Sequence, residues 1–332
     1  MSARDADTQQ AARHGIALGG RPMDALQREY DRFGPWAIEI SDQDPPPRLF
    51  APHLARSEAP LLSVKIPRHV ERRNARPGLD LYDYVVCLYD EDLVVHQRNG
   101  SDVLSSTCRI RDVQHLRVTR CLLRGNIHLG LPGRPVDLPY NTVSDALMLR
   151  LVELIRQRYA REPGSRPSAS MLDVPDGTLS FYFDRLLEGE GQRDPDMCLL
   201  AAQGTVPVAA RSTGKLRRLA FRIADKRLLE AMHFSDGSEL RILSRGPSYA
   251  YRWESTYGLE TTYIPVGNLR SVDWRADPAN GATTLVLGTG GGDSTFAFQE
   301  GNASIGPYAA YLASLPGLAR HTMAPGSRLQ AA

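Results

Sequence analysis

Residues 220–234, AFRIADKRLLEAMHF, and their fainter twin at 85–98, VVCLYDEDLVVHQR, decide the reading of this chain. In each, an apolar run meets a short acidic turn and then resumes as a second apolar run. That pattern predicts two antiparallel strands joined by a tight hairpin. Two such hairpins predict a duplicated β-rich unit.

The surroundings of the two hairpins keep the same order. A strand at 61–66 precedes the first, and Leu199-Leu200 with AAQGTVPV precedes the second. A basic, polar crossing follows in both, ERRNARPG (71–78) and ARSTGKLRR (210–218). After the hairpins come IRDVQHLRV (110–118) and IPVGNLRSV (264–272), which pair Ile110, Val113, Leu116 and Val118 with Ile264, Val266, Leu269 and Val272. Each half then offers two strands, 126–131 and 136–140 against 283–287 and 294–299, and ends in a helix. The helix at 142–159, capped by Thr142 or Ser144, has an apolar face through Ala146, Leu149 and Ile155; its counterpart is 305–315. Equal order over two long stretches is the mark of an internal repeat.

Asp225-Lys226-Arg227-Leu228-Leu229 resembles the TDKRL hairpin of bacterial PH-like domains, with Ala224 where that family often has threonine. IPVGNLRSV and IRDVQHLRV resemble the I-x-x-I-x-x-V strand that follows it in the family. In the first copy Glu91-Asp92 replaces the basic pair. The resemblance implies an α+β, mainly β chain of two tandem PH-like, partly open barrels, each closed by a C-terminal helix. Expected boundaries are a disordered tail (1–22) and an N-terminal arm with a short helix (23–60). The first PH-like domain (61–160), a linker with a short helix (161–196), the second domain (197–318) and a flexible tail (319–332) complete the chain. Within the linker, 179–188 reads equally as helix or strand.

A chain of 332 residues with 42% hydrophobic and 23% charged content can bury substantial cores. Its net charge of +2 gives no general reason to expect nucleic acid. Lysine occurs only at 65, 215 and 226, and the arginine excess reads as codon bias in a GC-rich bacterial genome. The four cysteines form no CxxC pair and read as free thiols in a reducing cytoplasm. No signal peptide or run of about 18 apolar residues is present, so the expected location is cytoplasmic, with peripheral attachment at the inner membrane as the variant.

No catalytic, cofactor or metal signature stands out. The eight histidines are scattered, with His96 and His233 at matching hairpin positions, and no G-x-S-x-G elbow occurs. LGTGGGDST (287–295) lacks the ending of a phosphate loop and reads as a glycine-rich hairpin. Two basic clusters, Arg68, Arg72 and Arg73, then Lys215, Arg217 and Arg218, are candidates for anionic lipid headgroups. A solvated loop with local ion pairs is the simpler reading. In SYAYRWESTYGLETTY (248–263), Tyr249, Tyr251, Trp253 and Tyr257 would share one face of a regular strand and either cover a core or bind a protein. Covering a core is slightly favoured. Trp36, in the arm, is a further protein-contact candidate, although packing on the first unit is its simpler role. The expected function is a non-catalytic adapter that binds a protein partner. Peripheral binding to anionic lipid is the alternative, and an enzyme of unassigned reaction comes third.

Overall fold

The structure, a computed structural model, describes residues 25–159, 174–175, 177–208, 226–251, 253–254, 256–315, 317–318 and 320–321. The tail at 1–22, the linker stretch 161–171, and Lys215, Arg217 and Arg218 lie outside these residues.

The fold is α+β and mainly β, built from antiparallel sheets. Helix α1 (Ala25–Arg32) and the two-residue strand β1 (Ile38–Glu39) form the arm. Strand β1 joins β2 (Leu62–Pro67), β3 (Tyr82–Leu88), β4 (Asp92–Asn99) and β5 (Asp102–Arg109) in a sheet of order β1-β2-β3-β4-β5. A 3-10 turn at Ile110–Asp112 then leads into β6 (His115–Cys121), β7 (Arg124–Gly130), β8 (Val136–Asn141) and helix α2 (Asp145–Arg156). Val86, Leu88, Leu93 and Val95 from the first sheet meet Leu116, Val118, Ile127 and Leu138 from the second, and Met148, Leu151, Val152 and Ile155 of α2 close this core.

The second half is also mainly β. Helix α3 (Phe181–Arg193) precedes β9 (Cys198–Gln203), β10 (Val206–Pro207), β11 (Lys226–Leu228), β12 (Ala231–Ser235) and β13 (Glu239–Ser244). Strands β14 (Tyr249–Tyr251), β15 (Leu259–Pro265), β16 (Leu269–Asp277), β17 (Ala282–Thr289) and β18 (Gly292–Gln299) follow, then helix α4 (Ile305–Ser314) and β19 (Arg320–His321). The segment at 179–188 is helical because Phe183, Leu187 and Glu190 recur at helical spacing on the buried side. The arm and α3 play matching parts. Phe33 and Phe50 of the arm cover the outer face of the first sheet, and Phe183 of α3 covers the outer face of β9, β12 and β13.

The strongest hairpin of the second half lies further along than the sequence suggests. Residues 220–225, the first strand and turn of the expected hairpin, lie outside the described residues; β11 itself has β10 on one side and β14 on the other. A tight turn joins β12 to β13 through Asp236, Gly237 and Ser238. Gly237 takes a positive φ of 91°, and the Asp236 carboxylate accepts from the backbone N–H of Ser238 and Glu239. This turn matches the one between β3 and β4. In both, a carbonyl just before the second strand (Glu91, Ser238) accepts a 2.8 Å hydrogen bond from the residue opening the following 3-10 turn (Ile110, Val266). Ile110, Val113, Leu116 and Val118 therefore match Val266, Leu269, Val272 and Trp274, all buried at identical spacing. His96 lies on β4 and His233 on β12, so they are not equivalent.

The two halves share one seven-stranded sheet of order β8-β7-β6-β15-β13-β12-β9. Its seam is β6·β15, with Leu116 opposite Tyr263 and Val118 opposite Thr261. Beneath the seam lies a buried ionic cluster. Arg156 of α2 makes a two-pronged bond to the fully buried Glu239 of β13, at 3.0 Å from Nε and 2.6 Å from Nη2. Tyr159 donates to the same carboxylate, and Arg241 is held by Glu190 and Asp194 of the α3 segment. Burial works against the Arg156 charge, yet Glu239 holds its pKa above the ordinary arginine value. Among the described residues no sheet closes on itself.

Candidate functional site

The tyrosine-rich insertion is not a regular strand. Strand β14 stops after three residues, and a turn follows, closed by Glu254 N–H to Tyr251 O (2.9 Å) and Tyr251 N–H to Glu254 Oε2 (2.8 Å). The turn lays Trp253 flat on Tyr251, with ring centroids 4.9 Å apart and planes within 2°. Trp253 is 69% exposed and Tyr257 73%, so the slightly favoured core-covering role does not hold for them. Tyr249 alone is built in. Its hydroxyl donates to Asp277, and Lys226 sits over its ring at 4.3 Å. Burial and the nearby Asp277 carboxylate push its pKa well above the tyrosine range.

Tyr251 lines a cleft of about 200 Å³ together with Ser180, Thr205, Arg227, Glu230, Arg245, Glu254 and Thr256. Its floor is charged and ordered. Glu230, 3% exposed, accepts from the backbone N–H and hydroxyl of Ser180, which precedes α3, and from Arg245 Nε at 3.1 Å. A carboxylate at a helix N-terminus is favoured by the exposed N–H groups there. Arg245 also stacks over Tyr182 and Phe183 at about 5 Å and donates to Thr256 O. This ties the first turn of α3 to the insertion.

Phe181 and Tyr182 adjoin the same cleft through Ser180 and are themselves exposed. Of these aromatic side chains Tyr251 lines the cleft, Trp253 stacks on it and Tyr182 lies against Arg245, whereas Phe181 and Tyr257 are only sequence neighbours of the lining residues Ser180 and Thr256. The sequence signal for Phe181 and Tyr182 is the FYF run at 181–183, in a segment whose pattern fits helix and strand equally.

The remaining candidates do not join this site. Trp36 is 45% exposed and lies over Gly34, where an added Cβ would come within 2.5 Å of the indole. The aromatic anchor of the arm is Phe50, fully buried. Arg68 and Arg73 lie in the connection between β2 and β3, and Arg72 opens the 3-10 turn Arg72–Asn74 there. Arg73 is paired with Glu71, and Val70, Ala75 and Leu79 anchor the loop. LGTGGGDST forms the β17–β18 hairpin, with a strand after the glycines.

A second cleft, about 390 Å³, lies under the arm between Pro45–Pro47 and the side chains of Lys65 and Tyr82. Lys65 Nζ donates to Pro45 O at 3.0 Å, and burial lowers its pKa. This lysine pins the arm to β2. Among the described residues no group of three or more His, Cys, Asp or Glu is placed to hold a metal ion. Among the described residues no helix is long and apolar enough to cross a membrane. No protein-family model matches the chain, and no curated protein matches it.

Proposed function

We propose that the chain is a non-catalytic interaction module of two tandem PH-like units that holds a protein partner on the aromatic rim between α3 and β14. One observation carries this reading: Tyr251 lines a cleft whose floor is hydrogen-bonded in place, with the exposed Trp253 stacked on it and Tyr182 against the cleft's Arg245. Contiguous exposed apolar surface of this kind marks interaction sites. Tryptophan and tyrosine are also the residues that most often dominate binding at protein interfaces. The turn that stacks Trp253 on Tyr251 reduces the side-chain entropy lost on docking. Glu230 and Arg245 offer polar contacts at the centre. The PH-like reading is supported by the twofold recurrence of four antiparallel strands, a 3-10 turn, three further strands and a helix.

The test is capture of a partner from extracts of the source organism by the purified chain, followed by titration with that partner. Trp253→Ala is expected to weaken binding by about thirtyfold or more, the scale of an interface hot spot. Arg73→Ala is expected to leave it unchanged. A partner bound equally well by Trp253→Ala and by a Phe181→Ala, Tyr257→Ala variant would refute the placement.

A further inference from the structure

The hairpin between β6 and β7 has a feature that the aromatic rim does not use. Its two tip residues are Leu122 and Leu123, in the run Arg120-Cys121-Leu122-Leu123-Arg124. Leu122 has φ +51°, the one non-glycine residue with positive φ among the described residues. Two-residue hairpins favour Asn or Gly at such positions, because a Cβ is crowded in the left-handed region. Nothing in the fold repays leucine there by burial. Leu122 is 74% exposed, Leu123 64% and the adjacent Val143 69%.

The hairpin tip and the turn that bears Val143 are held together through their backbones. Thr142 donates from Oγ1 to Leu122 O at 2.7 Å and from its backbone N–H to Leu123 O at 3.2 Å. Asn141 Oδ1 accepts from Val143 N–H at 3.0 Å and fixes that turn beside the tip. Arg120 and Arg124 flank the leucines. Arg120 pairs with Asp145 at 3.1 Å and Arg124 is exposed. The result is a convex, rigid apolar point with a basic collar. A convex point does not form a groove for a peptide, whereas it can enter the boundary between lipid headgroups and acyl chains. The collar then lies at the level of the phosphates.

The geometry points to the β6–β7 tip as a membrane-contact site. Leu122, Leu123 and Val143 enter the interfacial layer of an anionic bilayer while Arg124, with Arg120, meets the lipid phosphates. This is independent of the partner-binding rim and uses different residues from the basic loops. Three short apolar side chains give at most the reversible attachment of a single acyl anchor, with a partition constant of about 10⁴ M⁻¹ or below. Binding is also expected to weaken with salt, because the collar acts through screened charge.

The probe is flotation of the purified chain with vesicles of phosphatidylcholine and phosphatidylglycerol in equal parts, beside vesicles of phosphatidylcholine alone. The wild type is expected to float with the mixed vesicles at low salt. The double variant Leu122→Asn, Leu123→Ser should lose about tenfold or more of that binding, since interfacial affinity scales with buried apolar area. Asn is tolerated at positive φ, so the variant should melt at the same temperature as the wild type or higher. Equal flotation of variant and wild type would overturn the proposal, as would no flotation of the wild type at low salt. Light-scattering mass provides the remaining arm. A concentration-dependent dimer that the double variant abolishes, without vesicle binding, would assign the tip to a second copy and also overturn it.

Discussion

Removing the carboxylate of Glu239 should be among the most damaging single changes in the chain. Glu239 is fully buried and takes two hydrogen bonds from Arg156 and one from Tyr159, with Arg241 Nε 3.6 Å away. Glu239→Gln keeps the shape and removes the charge. Arg156 would retain Glu153, at 2.6 Å on a half-exposed side chain, while Arg241 would retain Glu190 and Asp194. Breaking one partner out of a buried pair costs about 3–5 kcal/mol, and the partial cover from Glu153 places this case near 3 kcal/mol. At about 1.4 kcal/mol per tenfold, that lowers the folded-to-unfolded ratio more than a hundredfold. Replacing both partners, Arg156→Met with Glu239→Leu, should return stability to within about 1 kcal/mol of the wild type, because the isolated charge is the penalty. Urea unfolding followed by far-ultraviolet circular dichroism and by tryptophan fluorescence reads both variants. Arg156 and Glu239 lie in different halves, so the wild type is expected to unfold in one coincident transition. A loss below about 1 kcal/mol for Glu239→Gln, or a double variant as unstable as the single, would refute the reasoning.

Other outcomes follow from the interior. Burial lowers the pKa of His96 and His115 to about 4 and of His233 to about 3. The unfolded chain, with histidine near 6.5, therefore takes up these protons first. The stability they preserve is complete above about pH 6.5 and is lost as pH falls toward about 4, which thermal melts across that window would read. His233 sits among Phe296, Phe298 and Tyr308, and its Nε2 has no hydrogen-bond partner. His233→Phe should cost about 1–3 kcal/mol at neutral pH, because the buried Tyr308 hydroxyl loses its 3.1 Å partner Nδ1, and should flatten the acid decline. A steeper decline would contradict the buried, neutral imidazole. At Gly204 an added Cβ would come within 2.0 Å of the Thr178 carbonyl oxygen, a backbone atom with little room to yield. Gly204→Ala should therefore cost about 1–3 kcal/mol, and an unchanged melting temperature would show that the 174–178 segment does not pack there.

Much of the β architecture was legible because strand pairs, turns and the apolar stripe at 110–118 are local signals. The alignment of the two halves was less legible. Asp225 carries a turn-forming side chain in the sequence, but Lys226–Leu228 after it join a three-stranded sheet between β10 and β14. The Asp-Gly pair at 236–237 was the stronger local sign of the hairpin. The seam β6·β15 could not be read from either strand alone. The ionic cluster beneath it draws Arg156, Glu190 and Glu239 from three distant segments, and each taken singly looks like a surface charge. At the candidate site, alternation suggested a single aromatic face for residues 249–257. The tight turn at Glu254 broke that alternation and left Trp253 in solvent. Tyr182 joins the site only because Arg245 and Glu230 bring the start of α3 to the insertion.

The most direct test of the interaction surface places the photo-crosslinking amino acid benzoylphenylalanine at one position at a time, Trp253 or Trp36, in the full chain within its own cells. Trp253 is stacked on Tyr251 at the edge of the cleft, whereas Trp36 is a half-exposed side chain on the arm with no aromatic ring stacked on it among the described residues. The account predicts one discrete protein adduct from position 253 and none from position 36. Adducts from position 36 alone would contradict it and move the binding surface to the arm.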